Sequence, residues 1–107
     1  MQVIVKFSDR GRSHAAVWYT TLAAAPTDQV ILGEAYMIAF AQAVRTANGP
    51  PPGTRTDSST TPATHYAELA SGTWVQFLVR DTRPTRFSRT IRTVVITGVG
   101  DRPPPAT

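Results

Sequence analysis

An α+β fold, with a two-helix hairpin packed on one face of a small, mainly antiparallel β-sheet in the order β-α-α-β-β-β, is the class this sequence predicts. Three observations predict it. Apolar residues recur at spacings of three and four in the first half of the chain, β-branched and aromatic residues concentrate after residue 64, and a Pro-, Ser- and Thr-rich stretch divides the two regions. With 107 residues the chain has the length for one hydrophobic core, so residues 1–107 form one domain. A 41% hydrophobic share is enough for that core and argues against disorder throughout.

The elements follow in order. Residues 2–7 alternate Val3, Val5 and Phe7 with Gln2, Ile4 and Lys6, the period of two of a strand. The stretch from Ser8 to Arg12 reads as a turn, and Ser13 is placed to cap a helix over 14–25 whose apolar stripe is Val17, Trp18, Leu22 and Ala25, ended by Pro26. A second helix over 28–47 carries Leu32, Tyr36, Phe40, Ala43 and Ala47 on one face, and Asn48-Gly49 with three following prolines closes it. Residues 48–63 hold almost nothing to bury and read as a flexible, exposed loop. A short strand is expected over 65–69. The strongest strand signals, 73–80 and 90–99, should pair as an antiparallel hairpin across a connection containing Pro84. On 73–80, Val75, Phe77 and Val79 point one way, and Trp74, Gln76, Leu78 and Arg80 the other.

The net charge is +4, and the window from residue 80 to 92 alone accounts for it: Arg80, Arg83, Arg86, Arg89 and Arg92 face one acid, Asp81. Ten of the eleven basic residues are arginine, whose planar fork suits bidentate contact with phosphate. The cluster therefore points to a polyanionic partner. The apolar strip of Trp74 and Leu78 beside it fits either a nucleic acid or an acidic amphipathic peptide.

Other chemistry is poorly represented. Without cysteine there is no disulfide framework, thiolate metal site or cysteine nucleophile. The two histidines, His14 and His65, lack the acidic or cysteine neighbours of a metal site, and His65 and Glu68 lie three apart, on opposite faces of a strand. No metal and no cofactor are expected. No apolar run is long enough for a signal-peptide core or a membrane span, so the expectation is a cytoplasmic protein without a membrane partner.

Four passages carry a family resemblance: Ala43-Val44-Arg45-Thr46-Ala47-Asn48-Gly49-Pro50 at a helix end, Leu69-Ala70-Ser71-Gly72-Thr73-Trp74, the strand end Phe77-Leu78-Val79-Arg80, and Arg92-Thr93-Val94-Val95-Ile96-Thr97-Gly98-Val99. With the order strand, helix pair, sheet, the chain resembles the RelE/ParE superfamily of type II toxins, its HigB-like branch in particular. The resemblance implies a toxin paired with an acidic antitoxin protein and acting on RNA at the ribosome. As an enzyme it would be a metal-independent mRNA endoribonuclease, with Arg80, Arg92 and Arg102 as the catalytic cations that orient the scissile phosphate. Arg80, Arg83, Arg86, Arg89 and Arg92 would be the nucleic-acid contacts. The family's lysines have no counterpart here, and no Tyr or His follows the last strand. The alternative is accordingly a non-catalytic binding module: a gyrase-inhibitor-type toxin, a phage protein or a nucleic-acid adaptor.

Overall fold

The computed structural model describes residues 1–70 and 72–101. The order is β1 (Gln2–Phe7), α1 (Asp9–Tyr19), α2 (Pro26–Ala47), β2 (Arg55–Asp57), β3 (Thr64–Ala70), β4 (Thr73–Thr82) and β5 (Ile91–Gly100). The strands form a single sheet ordered β1-β5-β4-β3-β2. All neighbours are antiparallel except β1 and β5, which run parallel with Val5 opposite Val94. The α+β class and the β4–β5 hairpin match the sequence expectation. The sheet gains one strand, β2, which lies inside the stretch read as a loop.

Helix boundaries differ from those read in the sequence, for local reasons. Ser8, not Ser13, is the N-cap: its side chain accepts the Gly11 N–H at 3.0 Å, and its own N–H and hydroxyl both reach the Ile96 carbonyl of β5. The Ser-Asp-x-Gly passage looks like a turn, yet it caps and opens α1, and position 11 takes glycine because β5 passes too close for a side chain. A Cβ there would stand 1.9 Å from the Ile96 oxygen. The helix stops at Tyr19, where the Thr20 and Thr21 hydroxyls return to the carbonyls of Val17 and Trp18. Gln29 then ties the connection by donating to the carbonyls of Thr20 and Leu22. Helix α2 begins with Pro26 in its first turn, where the missing N–H costs nothing, and ends on Asn48 in the left-handed conformation.

The buried faces are rotated from those expected. On α2 the buried set is Gly33, Met37, Phe40 and Val44, and on α1 it is Gly11, Ala15 and Trp18, leaving Val17 exposed. Two glycines explain the shift, because they allow the closest approaches: Gly11 lies on β5, and Gly33 lies under the Tyr19 ring, where a Cβ would be 2.1 Å from Cδ1. The core centres on Phe77, Val75, Val94, Ile96 and Val44, all essentially inaccessible. The Phe40 ring meets Phe77 edge-on at 5.3 Å, and Trp18 meets Tyr36 at 5.6 Å.

Candidate nucleic-acid interface

Both helices cover the side of the sheet that carries Val75, Phe77, Val94 and Ile96. The pairing register places Trp74, Gln76, Leu78 and Arg80 of β4 on the opposite side, next to Thr93 and Val95 of β5 and Ile4 and Lys6 of β1. Ile4, Lys6 and Arg80 are exposed there, whereas Trp74 shares an open pocket with Arg55 and with Tyr36, Ala39, Phe40 and Ala43 of α2. Tyr66 lies across from Gln76, Arg55 from Tyr66, and the Arg55 guanidinium sits 5.5 Å from the Trp74 ring centre. The open face thus mixes aromatic and aliphatic surface with the cations Lys6, Arg55 and Arg80.

Beyond Thr82 the connection of the hairpin brings Pro84, Ser88 and Arg89 beside Met1 and Gln2 at the start of β1. Thr85 and Ser88 pin the turn, with a backbone bond of 3.1 Å and a hydroxyl contact of 2.7 Å. Arg83, Arg86 and Arg89 are exposed, and Phe87, at 85% relative exposure, is the most exposed large apolar side chain. The Arg86 guanidinium lies over its ring, 4.7 Å from the centre. A hydrophobic ring held in solvent with a cation on one face leaves the other face free to stack on a base.

The five clustered arginines do not form one array. Arg92 lies opposite Asp81 and gives it a fork of two bonds, Nε to Oδ1 at 2.8 Å and Nη2 to Oδ2 at 2.7 Å; its remaining Nη1 donates to the Asn48 carbonyl at the end of α2. The guanidinium holds the Asp81 carboxyl below the usual carboxylate range, and the carboxylate in turn raises Arg92. This is the only ion pair among the described residues. Arg92 therefore joins β4, β5 and α2, while Arg80, Arg83, Arg86 and Arg89 keep the uncompensated charge of the window. Arg102 lies outside the described residues.

Neither histidine joins this surface as a base. His65 takes part in a 2.9 Å bond with the Thr56 hydroxyl and stacks on Phe77, and burial pushes its pKa below the ordinary value. His14 of α1 stands with Gln76 of β4 against Gly98, its Nδ1 3.2 Å from where a Cβ would lie there. Among the described residues no group of three His, Cys, Asp or Glu could hold a metal ion. No described helix is long and apolar enough to cross a membrane.

Sequence reasoning missed two of these contributors. Arg55 falls in the stretch that reads as a loop, and nothing in the sequence pairs it with Trp74, 19 positions away. Phe87 did carry a signal: it is the lone aromatic inside the most basic stretch of the chain. Comparison with known proteins finds no matching family model, no matching curated protein and no matching solved structure.

Proposed function

We propose that this chain is an RNA-binding protein of the type II toxin kind, which grips a single-stranded RNA backbone with the β4–β5 hairpin and lays bases on the adjoining open sheet face. One observation carries the reading. Arg92 and Asp81 neutralise each other, so four arginines without an acidic partner among the described residues and an exposed, cation-capped Phe87 stand at one end of a sheet face that bears Trp74 and Tyr66. Phosphate neutralisation supplies affinity, and stacking supplies contact with any base, which is how single strands are held without sequence readout.

The chemistry favours binding over cleavage. Guanidinium groups orient and neutralise phosphate but do not shuttle protons, and the one carboxylate of the hairpin, Asp81, is engaged by Arg92. The reading of a non-catalytic toxin or adaptor is therefore placed ahead of an mRNA endoribonuclease, with an acidic antitoxin as the protein partner of the same basic surface.

Two measurements test this. In a titration of the Arg83, Arg86 and Arg89 triple glutamine variant against single-stranded RNA, the slope of log K against log salt should fall by about 2, since each phosphate contact contributes about 0.7. An unchanged slope would reject the hairpin as the contact surface. Controlled expression in bacteria with transcript mapping addresses the biological role. Growth arrest with intact transcripts supports a binding toxin, cuts inside translated mRNA would restore the endoribonuclease, and unimpaired growth would reject the toxin assignment.

A further inference from the structure

At the end of β4 away from the hairpin, the sheet opens beside α2. Strand β2 pairs only with the first residues of β3, from Asp57 opposite Thr64 to Arg55 opposite Tyr66. The chain before it passes through Pro51, Pro52 and Gly53, the last at a φ of 85°. Ala67, Glu68 and Leu69 therefore have no outer neighbour among the described strands. The β3–β4 register shifts between Glu68 and Ala70, an irregularity of the kind that re-aims a side chain. The result is an open pocket of about 580 Å³, within the range of small-ligand sites.

Its lining is chemically mixed. Tyr36 and Phe40 of α2 and Trp74 of β4 supply aromatic surface, Arg55 a cation and Glu68 a carboxylate. Glu68 lies directly opposite Trp74 in the ladder, so the two side chains share a face with Cβ atoms about 5 Å apart. The Arg55 guanidinium stands 5.5 Å from the Trp74 ring centre. On its other flank Trp74 is opposite Gly100 of β5, which has no side chain, and nothing lies within 4 Å of where a Cβ would be there. Glu68 is exposed and takes part in no ion pair among the described residues, although Arg55 lines the same pocket.

Each part narrows the occupant. A guanidinium at the ring repels a second cation and favours a ligand that brings an anion. The ring offers stacking to a flat group. A carboxylate accepts two hydrogen bonds and donates none. Among the four RNA bases only guanine presents two adjacent N–H donors, N1 and N2, on one edge. Adenine and cytosine set an acceptor beside their amino group, and uracil flanks its one N–H with carbonyls. We infer that this pocket is a guanine-reading subsite for single-stranded RNA, resting on the RNA reading above. The base stacks at Trp74, its N1–H and N2–H donate to the two oxygens of Glu68, and Arg55 meets the phosphate. The hairpin arginines hold any RNA, and Glu68 sets which base lies at the other end of β4. Trp74 and Thr82 are about 26 Å apart along β4, so an oligonucleotide of several residues is needed to reach both.

Fluorescence anisotropy with decauridylate, and with the same oligonucleotide carrying one central guanosine, tests this. The guanosine should tighten binding about tenfold, the worth of one bidentate base contact. The factor should be the same at low and high salt, because a base contact releases no counterions. Adenosine or cytidine at that position should not tighten binding. Glu68→Gln changes an exposed side chain and should keep the native circular dichroism. It should replace the guanosine preference with one for adenosine, because an amide presents one acceptor and one donor. Arg55→Gln should weaken all the oligonucleotides alike and keep the preference. Equal binding of all four bases, or a guanosine preference that survives in Glu68→Gln, overturns the inference and leaves the RNA reading standing. If no oligonucleotide binds, the RNA reading fails and GMP titrated against tryptophan fluorescence decides the pocket alone. Saturable quenching that AMP does not reproduce and Glu68→Gln abolishes upholds a guanine site, and its absence overturns it.

Discussion

Gly11 lies where α1 begins and β5 passes beneath it, and Gly11→Ala puts the packing of this junction to the test. The added methyl would fall 1.9 Å from the Ile96 oxygen and 2.7 Å from its carbon, both of them backbone atoms that cannot rotate away. Ordinary contact therefore requires the first turn of α1 to lift by more than an ångström. That displacement stretches the two bonds Ser8 makes to the same Ile96 oxygen, 3.0 Å from its N–H and 3.2 Å from its hydroxyl. Overpacking costs about 1–3 kcal/mol. Each weakened hydrogen bond adds about 1 kcal/mol. Replacing glycine by alanine inside a helix returns about 1 kcal/mol. The net expectation is a loss of about 3 kcal/mol, a large share of the roughly 5–15 kcal/mol that holds a small domain together. Urea unfolding followed by circular dichroism reads this as a lower midpoint at unchanged slope. A variant as stable as the parent, or more stable through helix propensity alone, would refute the claim that α1 is seated by backbone contact at Gly11.

The other expectations concern the interface and its support. Phe87→Ala should weaken single-stranded RNA binding by about 1–3 kcal/mol, the worth of one base stacked on an aromatic ring, and leave thermal stability unchanged; equal affinity by fluorescence anisotropy would remove Phe87 from the surface. Arg92→Gln should lower the thermal midpoint, because the tie among β4, β5 and the end of α2 is lost, while the salt slope of RNA binding stays at the parent value. Arg80→Gln should do the reverse, lowering the slope by about 0.7. His65 binds a proton less readily in the folded chain than in the unfolded one, since burial lowers its pKa from 6.5. Its contribution is therefore complete above that value and is lost as pH falls through it toward the folded pKa, so His65→Gln should flatten the stability profile on the acid side of neutrality, and parallel profiles would contradict the assignment.

Sequence by itself determined the order of all the elements but β2, and where the positive charge of the chain collects. Strands β4 and β5 are legible because β-branched and aromatic residues concentrate in them, and the period of two sets Val75 and Phe77 on one face, which the structure makes core together with Val94 and Ile96. The end of α2 was legible because Asn48-Gly49 and the prolines act through the backbone of their own segment. The charge of the hairpin was legible because arginine density is a property of composition. What a residue meets across space was not. Only the tertiary structure decided that Ser8 caps α1, since the cap is seated on an Ile96 carbonyl 88 positions away. Only it rotated the buried face of α2 to Gly33, Met37, Phe40 and Val44, because Tyr19 of α1 presses on Gly33. Arg55, read as part of a flexible loop, became an edge-strand residue over Trp74 because β3 offered backbone partners that no local pattern reveals. The same holds for the site. Five equivalent arginines in the sequence become four cations without an acidic partner among the described residues and one structural link, because antiparallel pairing sets Arg92 opposite Asp81 and against the end of α2, where three of its five N–H groups are committed within the fold.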